Sequence, residues 1–178
     1  MAHETIGRDP VDRGALRSAQ QPLKDDYVAT PERAVVTLHA TGRLGEGISC
    51  SVATGRAIAE AGLHPATGGD GSLLCSGDML LEALAACAGV TLRSVATSLE
   101  IPVRGGQVYV DGDLDFRGTL AVAKDAPVGF RTIRVRFELD TDATDEQLDT
   151  LLRLTERYCV VLQTIAHAPE LAVSRSRA

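Results

Sequence analysis

Tryptophan is absent from this 178-residue chain, and phenylalanine and tyrosine together make up only 3% of it. The core it can build is aliphatic, made of Leu, Val, Ile and Ala, and it lacks aromatic platforms on which single-stranded nucleic acid would stack. Positive charge is short as well: 18 Lys and Arg stand against 24 Asp and Glu, a formal net charge of −6. Phosphate backbones are held by clustered Lys and Arg, so nucleic acid is not an expected partner. Arg175 and Arg177 make only a small basic tail.

No window reaches the roughly 18 apolar residues of a membrane span, and the polar opening MAHETIGRDPVDR lacks the apolar segment of a signal peptide. No membrane is expected, and the cytoplasm is the expected compartment. The four cysteines, Cys50, Cys75, Cys87 and Cys159, form no C-x-x-C pair. In a reducing compartment permanent disulfides are not expected. With no paired Cys or His spacing, neither is a structural metal. The glycine-rich run ATGGDGSLLCSGD, Ala66 to Asp78, contains neither G-x-x-x-x-G-K-[ST] nor G-x-G-x-x-G and carries acid, which argues against a nucleotide loop. No cofactor is expected.

What the chain does have is one strongly apolar stretch, Ser76 to Leu99, SGDMLLEALAACAGVTLRSVATSL. Between Met79 and Leu92 its one charged side chain is Glu82, so a helix here is apolar on nearly every face and is expected to be enclosed by other elements. Ala83, Ala85, Ala86, Ala88 and Gly89 leave it thin, with Cys87 in the thin zone. Ser76 is the expected cap, Asp78 falls in the first turn, and the helix ends near Glu100, ahead of Pro102.

The length suits a single domain. Residues 1–32 read as a polar N-terminal arm, with a short helix around Ala15 to Gln20. Arg33 to Thr41 and Gly45 to Thr54 are strand candidates expected to pair antiparallel through a turn at Gly42 to Gly45, with Arg43 projecting from its tip. Gly55 to Ala66 is ambiguous between strand and short helix. After the apolar helix, Val103 to Phe116 alternates, and Thr132 to Leu139, TIRVRFEL, alternates most clearly: Ile133, Val135, Phe137 and Leu139 on one face, Arg134, Arg136 and Glu138 on the other. Asp142 to Tyr158 is an amphipathic helix with Cys159 at its end, Val160 to Ala166 a second short helix, and Glu170 to Arg175 a final strand. Strands grouped with strands, and helices set between the groups, indicate an α+β fold.

Two readings of Cys87 and Cys159 stand at this point. They are buried cysteines acting as small hydrophobes, or they are a redox pair. The second needs a thiolate, and Cys87 lies too far into its helix for that helix's own dipole to supply one. Arg43 is the candidate cation, since a turn arginine can lay a rigid fork of donors over a pocket. Asp78 is the candidate carboxylate to hold it. Glu82 either lines a polar pocket or faces a subunit boundary.

The pieces TGRLGEG (Thr41 to Gly47), GGDG (Gly68 to Gly71), LLEALAACAGVTL (Leu80 to Leu92) and ERYCVVLQTI (Glu156 to Ile165) resemble, in order and separation, the osmotically inducible protein C and organic hydroperoxide resistance family. The resemblance makes 33–178 an OsmC-like domain. It implies antiparallel sheets wrapped around a buried central helix, an intertwined homodimer, and a cysteine peroxidase that reduces organic hydroperoxides with a dithiol reductant. It gives Cys87 the peroxidatic role, Cys159 the resolving role and Arg43 the activating guanidinium. The chain departs from the family where a Pro-Glu pair precedes the helix: Ser76-Gly77-Asp78 stands there, with Gly77 at the glutamate position. Val160 replaces the usual proline after the second cysteine, and Cys50 and Cys75 are additional thiols. The alternative to a peroxidase is a non-catalytic dimeric binding or redox-sensor protein on the same scaffold, using an apolar pocket beside Cys87.

Overall fold

The computed structural model describes residues 12–30, 42–44, 49–53, 58–121 and 123–177. Its elements run α1 (Arg13–Ala29), β1 (Gly42–Leu44), β2 (Ser49–Ala53), β3 (Ile58–Gly62), a 3-10 turn (Pro65–Thr67), β4 (Leu74–Cys75), α2 (Ser76–Leu99), β5 (Gly105–Asp113), α3 (Phe116–Thr119), β6 (Thr132–Asp140), α4 (Asp145–Tyr158) and α5 (Val160–Ala166). The strands form two separate sheets, β1-β2-β3-β4 and β5-β6, and the mixture is α+β as the sequence indicates.

β6 keeps the alternation read from TIRVRFEL along its whole length, and every residue of β5 has an antiparallel partner in it, from Gly105 opposite Asp140 to Asp113 opposite Thr132. Val108, Val110, Ile133, Val135 and Phe137 pack toward α2. The other face is charged: Arg134 pairs with Asp113 at 2.8 Å and the Arg136 guanidinium lies 4.1 Å from the centre of the Tyr109 ring.

α2 has the bounds expected of it, although Ser76 is its first helical residue and the capping position belongs to Cys75, in extended backbone. Its buried residues are Leu84, Ala88, Leu92 and Ala96, spaced at i, i+4 on one side. Leu84 and Ala88 meet Cys159; Leu92 and Ala96 meet Ile101 and Leu151. Enclosure on every side does not occur within the single chain. Ala83 and Ala86 are exposed, as are Leu80 at 40% and Val90 at 72%, because β5, β6, α4 and α5 cover one side of the helix only. By length and hydropathy alone α2 is apolar enough to cross a membrane, which the sequence reading had not registered.

α1 is longer than the short helix expected in the arm. Asp12 starts it by accepting the Ala15 N–H at 2.7 Å, Leu16 is buried as α1 meets α2, and Arg13 pairs with Glu100 at 2.6 Å. The run 33–41 lies outside the described residues. Gly42, Arg43 and Leu44, expected in a turn, are strand residues, Arg43 standing opposite Ser51, and 45–48 lie outside the described residues. The ambiguous stretch resolves into β3 and the 3-10 turn. Phe116, expected at a strand end, starts the short α3. At the C-terminus Glu170 to Arg175 is no strand: Leu171 is 81% and Val173 98% exposed, and no sheet edge of the described chain pairs with them.

β1 and β2 make their substantial contacts only within their own sheet, which joins the rest of the chain through β4 at the start of α2.

Candidate active site

Cys87 lies on α2 at the boundary between its buried stripe and its bare apolar face. At about 100° per residue, Leu84 and Ala88 flank it on the enclosed side and Ala83, Ala86 and Val90 on the open one. The thiol is half-buried, packed against the cluster of Leu84, Ala88 and Cys159.

Cys159 comes to it from the far end of the sequence. It closes α4 and opens α5 in a single extended residue, φ −73° and ψ 107°. Its N–H binds the Thr155 carbonyl and its carbonyl takes the Gln163 N–H, both at 2.9 Å. α4 is fixed upstream by a capping box of Thr144 and Gln147 and by Leu151, which is 0% exposed. Cys159 is fully enclosed with its backbone bonded on both sides. Both thiols are free.

The pair is electrostatically asymmetric. Burial pushes the Cys87 thiol up, but the N–H of Val161, the Cys159 thiol, the Thr91 hydroxyl and the N–H of Val160 all favour its thiolate, and together they hold it below the ordinary cysteine value. Burial pushes the Cys159 thiol up, and a negative Cys87 adds to that; the N–H groups of Leu162 and Val161 only partly oppose it. Of the two, Cys87 is the one whose thiolate is favoured and Cys159 the one whose thiol is favoured. The arrangement can present one thiolate beside one protonated thiol, as a nucleophile and a resolving thiol require.

Of the other residues singled out in the sequence, those whose side chains are described do not converge on this point within the chain. Arg43 is in β1, whose substantial neighbour is β2, and its side chain lies outside the described residues. Asp78 is exposed in the first turn of α2, nine residues before Cys87; that is about two and a half turns, which puts it on the opposite side of the helix. It lines a cavity of about 360 Å³ with His64, Cys75, Gly77 and Phe130. Glu82 is exposed and borders a shallow recess with Asp78, Ala85 and Tyr109. Cys75 stands twelve residues, about 18 Å, from Cys87 along α2, too far to act as its resolving thiol in the same chain. Cys50 is in β2, opposite Ala61.

The apolar pocket expected beside Cys87 is displaced. A cavity of about 430 Å³ lies between α2, β6, α4 and α5, lined by Leu84, Phe137, Leu152, Leu162 and Ile165 among others, and Cys87 is not one of its walls. Among the described residues no group of His, Cys, Asp and Glu is arranged to hold a metal ion. The groups that sequence reasoning missed are the donors around Cys87. Thr91, one turn further along the helix, was readable from its i+4 spacing; the Val160 and Val161 N–H groups were not, because backbone donors leave no mark on residue type.

The family model for OsmC-like proteins matches residues 69–174. No match was found among curated proteins. Among solved structures, an OsmC-like protein from Mycoplasma pneumoniae superposes with a TM-score of 0.63 at 18% identity, covering 75% of this chain and 89% of that one. An organic hydroperoxide resistance protein from Elizabethkingia anophelis, with thiocyanate bound, gives 0.57 at 15% identity, covering 75% and 91%. An organic hydroperoxide resistance protein OsmC from Legionella pneumophila gives 0.56 at 16%, with the same coverage of 75% and 91%. At such identities these likenesses bear on the fold.

Proposed function

The chain belongs to the OsmC-like protein family, and on that premise we propose that it is a thiol peroxidase for organic hydroperoxides, with Cys87 as nucleophile and Cys159 as resolving thiol. The observation that carries this reading is the facing pair itself: a half-buried Cys87 held below the ordinary thiol range and an enclosed Cys159 held above it. The Cys87 thiolate attacks the terminal oxygen of ROOH. The O–O bond breaks, a Cys87–S–OH bond forms, and the departing alkoxide takes a proton and leaves as ROH. The Cys159 sulfur then displaces hydroxide from that sulfenic acid; its proton leaves with the hydroxide as water, and a Cys87–Cys159 disulfide results. A dithiol reductant restores both thiols by two thiol–disulfide exchanges and is itself oxidised to a disulfide.

The working unit in this proposal is a homodimer. Its support is what the single chain leaves uncovered: the Ala83, Ala86 and Val90 face of α2 beside Cys87, and the exposed Leu171 and Val173 of the tail. A second copy laid on that face would close an apolar wall over Cys87, favouring alkyl over hydrogen peroxide. In such a dimer Arg43 would come to Cys87 from the first sheet of one subunit or the other. Consumption of an organic hydroperoxide with a dithiol present tests the proposal.

One observation favours a second reading, a dimeric binding or redox-sensor protein. Gly77 supplies no carboxylate and Asp78 faces away from Cys87, so neither position offers a carboxylate to an arginine over Cys87. Stoichiometric oxidation of Cys87 without turnover would select that reading.

A further inference from the structure

Cys75 takes no part in the chemistry read for Cys87 and Cys159, yet its surroundings are those of a site. It lines the cavity of about 360 Å³ at the start of α2, together with His64, Leu114, Phe116 and Phe130. Gly77 is the bare spot in that wall. A Cβ placed on it would stand 3.5 Å from the Cys75 sulfur, 3.5 Å from the Phe130 ring and 3.6 Å from Leu114, so thiol, ring and leucine converge on one space that no side chain fills. Gly112 lets Phe130 lie there, since a Cβ at Gly112 would come within 2.5 Å of the same ring. His64 stacks on Phe116 with ring centres 4.9 Å apart, and its Nδ1 accepts the Ala66 N–H at 3.0 Å, which puts the proton of the neutral imidazole on Nε2. Among the described residues neither that Nε2 nor the Cys75 sulfur has a hydrogen-bond partner. An apolar, aromatic cavity with a few uncommitted polar groups turned into it is the form of a small-molecule site.

We propose that this cavity is a second site, separate from Cys87, that binds uncharged aryl enones and adds them to Cys75. Phe116, Phe130 and Leu114 hold the aryl body, the His64 Nε2–H donates to the carbonyl oxygen, and the Cys75 sulfur bonds to the β-carbon. As the S–C bond forms, the electron pair of the C=C bond moves toward the α-carbon and the carbonyl oxygen, and the thiol proton ends on the α-carbon. Nothing leaves and nothing is oxidised or reduced, so the product is a thioether heavier by one whole enone. Anionic electrophiles are disfavoured, because Asp78 and Asp113 stand among the cavity's walls in a chain of net charge −6. Cys75 is about 18 Å from Cys87 along α2, so the site stands or falls without the peroxidase reading.

The experiment adds phenyl vinyl ketone to the full chain at rising concentrations, with free glutathione in the same tube, and follows the Cys75 adduct by peptide mass spectrometry. The rate at Cys75 should level off with concentration, because binding precedes bond formation, while the rate at glutathione stays proportional to it. Propiophenone, the saturated ketone that cannot add, should slow labelling of Cys75 and leave that of glutathione unchanged. His64→Asn keeps an oxygen for the Ala66 N–H but removes the Nε2–H, and should slow Cys75 labelling by about fivefold, the scale of one neutral hydrogen bond. A Cys75 rate that is proportional to phenyl vinyl ketone and indifferent to propiophenone overturns the proposal, as does a folded His64→Asn variant that labels like the parent. If His64→Asn does not fold, the propiophenone competition, read on the parent chain, decides alone.

Discussion

Cys87 and Cys159, one in the middle of α2 and the other at the junction of α4 and α5, face each other in a single apolar cluster in which the first is favoured as thiolate and the second as thiol. Neither helix alone produces this. α2 supplies a half-open thiol, and the bend at Cys159 supplies both the second sulfur and the backbone donors that act on the first.

The sign of the pH dependence follows from that asymmetry. Because the Cys87 value is lowered, the rate of its first oxidation rises with pH and levels off at a midpoint below that of an ordinary cysteine; Cys159, raised by burial, stays protonated over the same range. Stopped-flow rates of the first turnover against pH check this. A midpoint at or above that of an ordinary cysteine contradicts it.

Arg43→Ala should slow the attack on peroxide by about tenfold to a hundredfold, the scale of one lost hydrogen bond to a charged group. Unfolding is not expected, and Arg43→Lys should recover part of the rate because an ammonium keeps the charge but not the fork. Unchanged rates for Arg43→Ala would move that role to another residue.

Association can be read by sedimentation. The bare face of α2 predicts a dimer at micromolar concentration, and Val90→Glu, which plants a charge at a position 72% exposed in the single chain, should drive it toward monomer. A parent chain that sediments as a stable folded monomer rejects the homodimer.

Leu151→Ala tests what positions the site. Leu151 is fully enclosed between α2 and α4, so truncation should cost about 2–5 kcal/mol in urea unfolding. A loss below about 1 kcal/mol would mean that this core does not anchor α4.

Much of this was legible in the sequence, for identifiable reasons. α2, β6 and α5 were readable because their patterns depend on side chains: an unbroken apolar run, a strict two-residue alternation, a short apolar stretch ahead of Pro169. Cys87 and Cys159 stood out for the same reason. Position in space was less legible. The tail Glu170 to Arg175 has strand-like residues but pairs with no strand among the described residues, and the open face of α2 follows from which elements cover it rather than from its own composition. Asp78 looked like a near-substitute for Gly77's missing carboxylate until helical geometry put it on the far side. The donors to Cys87 are main-chain groups, which no residue code displays.

The division of labour between the two thiols is tested most directly by mass spectrometry of Cys87→Ser and Cys159→Ser after one addition of an organic hydroperoxide. The account predicts that Cys87→Ser leaves the peroxide unconsumed, while Cys159→Ser consumes about one equivalent and stalls as a sulfenic acid at Cys87, open to trapping and to overoxidation. A Cys87→Ser protein as reactive as the parent would contradict it.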